Sequence, residues 1–247
     1  MDRVESIAAG VEAVSATWNG IQDQAASLYQ VSWSWRGRRP RLTCDGGNVI
    51  VGAHQGCAMG TSQATALFVA DNTAATIVLS GLTSNAWYYV YAYDDAGACI
   101  YETVTSAPDA SLSYKSSDKT RAYVGCFYAL SATTARPFRM YDGRYAYGAE
   151  NPASIIALAG GTAGSFTDVV LTALLPPHAR LAQLYAIVTA GGATDNALIR
   201  PNGSSNTGLP LYPSACAVPM ATDSGQIVEY QKNSATTLSL YVLGFDE

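Results

Sequence analysis

Two histidines, His54 and His178, and five cysteines, Cys44, Cys57, Cys99, Cys126 and Cys216, bound the metal and nucleophile chemistry open to this 247-residue chain. His54 and Cys57 stand three apart in "AHQGC", a spacing at which an imidazole and a thiolate can share an ion. A tetrahedral zinc site needs two further ligands, and Cys44 and Asp45 are the nearest candidates. His178 follows Pro176-Pro177 and reads as a turn residue, so neither a metal nor a cofactor is expected. Asp94 and Asp95 are adjacent at a strand end and point to opposite faces, which bars them from flanking one glycosidic bond. Asp142, Glu150 and Asp168 are isolated, and no nucleophile elbow, Walker loop or dinucleotide fingerprint occurs. The residues point to binding or structure and not to catalysis.

The one dense charge cluster is "RGRRPR", with Arg36, Arg38, Arg39 and Arg41. Guanidinium groups match carboxylates and phosphates in bidentate geometry, so this run suits an acidic partner, anionic headgroups or salt bridges between chains. With 13% charged residues and a net charge of −5, nucleic acid is not an expected partner. No apolar stretch is long enough for membrane insertion. Aromatic clusters in "SWSWR", "WYYVYAYD" and "MYDGRYAYG" are the usual material of glycan or protein recognition. In "WYYVYAY", alternation sets Trp87, Tyr89, Tyr91 and Tyr93 on one face and Tyr88, Val90 and Ala92 on the other, and one face must be core.

The elements that hold these residues are mostly strands. From residue 31 onward the apolar period is two, with turns at Asp45-Gly46-Gly47, Asn85 and Asp95-Ala96-Gly97. A Gly, Asn and Pro-rich stretch from residue 142 reads as a boundary. Residues 31–141 are expected to form one β-sandwich and 142–247 a second, jelly-roll-like one. Before them, residues 1–30 read as an α-helix: Val4, Ile7, Val11, Val14, Trp18, Ile21, Ala25 and Leu28 alternate steps of three and four. That is the a/d seam of a coiled coil, and β-branched residues at both positions favour three strands; the alternative is a single amphipathic helix docked on its own β domain. The expected fold class is therefore all-β, two sandwich or jelly-roll-like domains, preceded by a trimeric helical coil.

Two resemblances follow. "LTSNAWYYVYAYDDAG" resembles strand F of fibronectin type III modules, with Leu82 six residues before Tyr88 as in their tyrosine corner. More of the chain, in "GLTSNAWYYVYAYDDAG", "YKSSDKTRAYVGCFYAL" and "RPFRMYDGRYAYG", resembles segments of tail and fibre proteins of tailed bacteriophages. That resemblance implies a homotrimeric virion component, a short tail fibre or receptor-binding protein, assembled in the bacterial cytoplasm without a signal peptide. Its N-terminal helix would attach to other virion proteins, and its C-terminal sandwich would meet a host-surface glycan or protein. The loops "GGATDN" and "RPNGSSNTG" are the expected contacts, through Asp195, Asn196, Arg200, Asn202 and Asn206. The alternatives are a head fibre or capsid decoration protein, a glycan-cleaving tip enzyme, and a monomeric carbohydrate-binding module.

Overall fold

The computed structural model describes residues 39–54, 57–62, 65–69, 73–96, 98–148, 152–189, 192, 195–233 and 236–247. These residues are all-β with antiparallel pairing, and the 3-10 turn Pro152–Ile155 is the only helical element among them. The expected fold class is corrected accordingly: the described residues are all-β and contain no α-helical coiled coil. The residues assigned to it, Val4, Ile7, Val11, Val14, Trp18, Ile21 and Leu28, lie outside the described residues. A heptad pattern this short, with Gly10 and Gly20 inside it, supplies little helix stability of its own.

The strands are β1 (Leu42–Cys44), β2 (Asn48–Val51), β3 (Cys57–Ser62), β4 (Thr65–Val69), β5 (Ala75–Val78), β6 (Ala86–Asp95) and β7 (Ala98–Val104). There follow β8 (Tyr114–Lys115), β9 (Asp118–Ala129), β10 (Phe138–Tyr141), β11 (Arg144–Tyr147), β12 (Ile156–Gly161) and β13 (Thr167–Val170). The chain ends with β14 (Leu181–Thr189), β15 (Ala197–Pro201), β16 (Leu209–Leu211), β17 (Ala215–Ala221), β18 (Ile227–Lys232) and β19 (Thr237–Asp246). They fall into two compact units that interleave along the chain, one holding His54–Thr73 and Tyr89–Val124, the other Pro40–Ala53, Ala74–Tyr88 and Gly125–Glu247.

The first unit contains the β3–β4 hairpin and the larger parts of β6 and β9 with β7 and β8. Val90, Tyr91 and Ala92 are all fully buried, so the middle of β6 is covered on both faces and not on one. Tyr91 nonetheless keeps its hydroxyl satisfied by donating to the Ser106 carbonyl at 2.7 Å, as a buried phenol requires. Charge in this unit is paired locally: Lys115 and Arg121 both reach Glu102, at 3.0 and 3.5 Å, and Arg121 lies 4.1 Å over the Tyr93 ring.

The second unit is built around β19. One edge of this strand pairs with β14 along its whole length; the other pairs first with β12, through Leu238–Tyr241, and then with β11, through Gly244–Asp246. Strands β12 to β19 form two sheets with orders β12-β19-β14-β17 and β13-β18-β15-β16. Numbered within themselves these are 1-8-3-6 and 2-7-4-5, the connectivity of an eight-stranded jelly roll. Strict alternation in β14 and β19 buries Ala182, Leu184, Ala186 and Val188 together with Leu238, Leu240 and Val242. Through β11 the first sheet continues into β10, β1, β2 and β5. The expected boundary at 141/142 falls at the β10–β11 hairpin, where Asp142 and Gly143 both take positive φ, 54° and 80°, between paired Tyr141 and Arg144.

An aromatic cluster centred on Phe245 joins the jelly roll to this extension. Phe245 is fully buried, stacks on Tyr145 at 4.2 Å, and takes Trp87 and Tyr147 edge-on or tilted at 6.0 and 6.2 Å. Three consecutive carbonyls of the turn after β13 are captured beside it. Trp87 Nε1 donates to Thr172 O at 2.9 Å, Arg136 to Ala173 O at 2.5 Å, and the Tyr147 hydroxyl to Leu174 O. Tyr147 is half-buried as a residue, and desolvation of its phenol pushes the hydroxyl well above the usual range. The tyrosine-corner likeness also has a local counterpart, for Tyr88 Oη accepts the Thr83 N–H at 2.8 Å.

Gly244 sets how closely β11 and β19 approach: a Cβ there would stand 1.8 Å from the Tyr145 carbonyl oxygen, a backbone atom that cannot swing away. Gly244→Ala is therefore expected to destabilise the protein by ~3 kcal/mol or more, read by chemical denaturation. A loss below about 1 kcal/mol would show that the two strands have slack.

Candidate binding surface

The extension of the sheet presents an exposed face on which alternation places only part of what the sequence suggested. In β10 the pattern buries Phe138 and Met140 and exposes Arg139 and Tyr141; in β11 it exposes Arg144 and Ala146 and buries Tyr145. Leu42 pairs with Met140 and Tyr141 with Arg144, so Arg41, just before β1, and Arg144 flank Tyr141 on its two sides. Adjacent strands lie about 4.8 Å apart, which sets the two arginine backbones about 10 Å from each other. Arg139 stands two residues along β10, roughly 7 Å from Tyr141, and opposite Thr43. The Arg41 guanidinium carbon is 5.7 Å from the centre of the Tyr141 ring, within cation–π range.

Around these residues lies a cavity of about 830 Å³, which also reaches Ile50, Phe138 and Tyr147. None of Arg41, Arg139 and Arg144 forms an ion pair with a carboxylate among the described residues. Asp45, at the rim, is occupied otherwise: Oδ1 accepts the N–H groups of Gly47 and Asn48 at 3.1 and 3.3 Å, which hold its carboxyl below the usual range. Burial pushes the Cys44 thiol up to about 11, although its Sγ accepts the Gly46 N–H at 3.3 Å. The arrangement offers an aromatic plate with three cations at its margin.

The other expected site residues are distributed differently. Arg36 and Arg38 lie outside the described residues, and Arg39 sits 5.5 Å over the Tyr123 ring. His54 places Nε2 2.7 Å from the Tyr101 hydroxyl. The tip-loop candidates divide between the two ends of β15. At its start, Asp195 Oδ2 accepts the Gly192 N–H at 3.0 Å, and Asn196 is bonded through its carbonyl and its side chain to Asn233. At its end, Arg200, Asn202 and Asn206 come together, with their groups tied inward. Arg200 pairs with Glu229, donates to Asn206 O at 2.9 Å and lies 3.5 Å over the Phe166 ring. Asn202 Nδ2 donates to Asp223 Oδ2 at 2.7 Å.

Sequence reasoning named the run "MYDGRYAYG" as recognition material but did not single out Arg139, Tyr141 and Arg144 as a site. The signal was present in "FRMYDGRYAY": Arg139 and Tyr141 are two apart, and an Asp-Gly turn of two residues returns Arg144 and Ala146 to the same face.

The Asn202–Asp223 tie makes the loop after β15 sensitive to acid. The Asn202 amide, followed by the N–H groups of Ile227 and Gly225, holds the Asp223 carboxyl below its usual range despite some desolvation. A depressed folded pKa gives stability that is fully present above the unfolded value of about 3.9 and lost as pH falls through the folded pKa. Proteolysis within residues 201–208 is expected to stay slow from pH 7 to 5 and to rise in the acid range, and Asp223→Asn should remove that transition. Equal acid sensitivity in the variant would place the titrating group elsewhere. No family model and no curated protein matches this sequence.

Proposed function

We propose that this chain is a non-catalytic attachment component of a tailed-phage-like particle, and that it holds an anionic host-surface glycan against the Arg41, Arg139, Tyr141 and Arg144 face. The observation that carries the binding is the set of three arginines around an exposed tyrosine, 48% accessible, with no described carboxylate paired to any of them. An exposed tyrosine ring accepts the apolar face of a sugar. The guanidinium groups at its margin accept the carboxylate or phosphate substituents that such polymers carry at intervals. The likeness of three segments to phage fibre proteins supports the particle setting, and a jelly roll is an architecture found in capsid and lectin domains alike. Fold alone assigns no activity, which is why the face and not the topology bears the weight.

With the chain itself at net charge −5, long-range steering of an acidic polymer is weak and recognition depends on contact. Isothermal titration against a polyuronate and against neutral dextran distinguishes the two parts of the reading. The polyuronate should bind and weaken with added salt, while dextran should bind little. Arg139→Ala with Arg144→Ala should weaken the polyuronate about tenfold or more, equivalent to ~1.4 kcal/mol for lost charged hydrogen bonds, and Tyr141→Ala should weaken it as well. Unchanged binding by the double variant would remove this face from the proposal. Antibody labelling of purified particles tests the setting independently.

A further inference from the structure

Away from the arginine face, three side chains with metal-ligating chemistry converge inside the second unit. Cys126 comes from β9, His178 from the turn before β14, and Glu247 from the residue after β19. The thiol sulfur, the imidazole Nε2 and the carboxylate Oε1 all lie within 4.8 Å of one another. The sulfur is 3.7 Å from Oε1, and Nε2 is 2.9 Å from the same oxygen. Cys126 is fully buried, the Glu247 side chain has no exposure, and the His178 side chain keeps 15%.

We propose that Cys126, His178 and Glu247 form a three-ligand site for a divalent transition metal of the zinc type, with water as the fourth ligand. One sulfur, one nitrogen and one oxygen donor suit a borderline ion and not Mg²⁺ or Ca²⁺, which take oxygen. With zinc bonds of about 2.0–2.3 Å, the donors of a tetrahedral site stand about 3.3–3.6 Å apart. The observed separations bracket that spacing, so small side-chain movements complete it. On binding, the thiol proton leaves to solvent, the neutral imidazole binds through Nε2, and the thiolate and carboxylate cancel the ion's two charges. The hydrogen bond between His178 and Glu247 gives way to a bond from each to the metal.

The backbones beneath the ligands are fixed before any ion arrives. The Cys126 N–H donates to the Tyr145 hydroxyl at 2.8 Å, and the Glu247 N–H to Gly143 O at 3.0 Å. The turn that carries His178 is closed by Ala179 N–H donating to Pro176 O at 3.0 Å and is bound from outside by Gln226 Nε2 on Pro177 O at 3.3 Å. Such support is what holds metal ligands in productive orientation. A thiol with no accessible surface is closed to a substrate, but an ion needs only the opening beside the His178 ring.

The test is a Co²⁺ titration of the untagged full-length chain after chelator treatment. One equivalent should bind, with a thiolate-to-cobalt charge-transfer band in the near ultraviolet and the visible bands of a tetrahedral site. Zn²⁺ should bleach both, and Mg²⁺ should leave them unchanged. His178→Ala and Glu247→Gln, each shown folded by circular dichroism, should weaken cobalt binding on the order of tenfold or more, and Cys126→Ser should abolish the charge-transfer band. Absence of that band in the folded wild-type protein would overturn the site. So would cobalt binding by His178→Ala as tight as that of the wild type, since His178 would then be no ligand. Should Cys126→Ser fail to fold, the wild-type band and the His178 variant still decide the matter.

Discussion

Much of the second unit depends on one local problem of hydrogen bonding. The turn after β13 sets three successive carbonyls, those of Thr172, Ala173 and Leu174, against Trp87, Arg136 and Tyr147. Leu174 is buried while Thr172 and Ala173 are exposed, so it is the Leu174 carbonyl that could least go without a donor, and each of the three donors is held in place by the aromatic cluster at Phe245. Trp87 and Tyr147 pack on Phe245 itself, and Arg136 lies over the rings of Tyr128 and Tyr147 at 4.8 and 5.4 Å. The packing that removes the rings from water is therefore also what aims their polar ends. Loss of one ring would disturb a hydrogen bond as well as a contact.

The same cluster explains why the jelly roll and the strands β10, β11, β1 and β2 act as a single sheet. Tyr145 stacks on Phe245, and its hydroxyl accepts the Cys126 N–H. Gly125 makes that reach possible, because a Cβ there would lie 2.6 Å from the Tyr145 hydroxyl and from Leu42 Cδ1. Gly244 makes the matching concession across the strand pair. Two missing side chains thus let β9, β11 and β19 approach closely enough for one ring to serve three strands. The buried face of β10 and β11 is fixed by this arrangement, and by the period of two the exposed face is fixed with it.

The all-β class and most of the jelly-roll strands were legible from alternation alone. Residues 181–190 and 236–244 read as strands because Leu, Val and Ala recur at every second position, and β14 and β19 occupy nearly those spans. The β10–β11 hairpin was not read, since the Gly, Asn and Pro-rich texture around Asp142 looked like a linker; the Asp-Gly pair between two alternating runs was the stronger signal. Burial of β6 on both faces was hidden because its aromatic side chains alternate no more than its buried neighbours do, and period cannot report coverage from a second direction. The heptad at residues 4–28 drew the reading toward a helix, but a repeat of apolar spacing states which face is apolar and not what covers it. For the site, the basic run after residue 35 was conspicuous by composition. Arg139 and Arg144 were not, because their neighbourhood depends on a turn that had to be recognised first.

Charge in this protein is scarce, and among the described residues several partly buried charges are matched. Glu102 serves Lys115 and Arg121, Glu229 serves Arg200, and Arg136 donates to a carbonyl between two rings. Such matching has a folding reason, since a half-buried charge without a partner lowers stability. Arg41, Arg139 and Arg144 stand outside that rule because they are exposed and pay no desolvation penalty. Their neutral replacement would leave the sheet pairing and the buried face unchanged. Nothing in the core calls for three cations gathered on one face of a chain with 14 basic residues, and the proposed anionic ligand would account for them. Cys126, His178 and Glu247 converge elsewhere in the second unit, the first fully buried and the other two partly so, and the proposed ion would neutralise the thiolate and carboxylate that meet there.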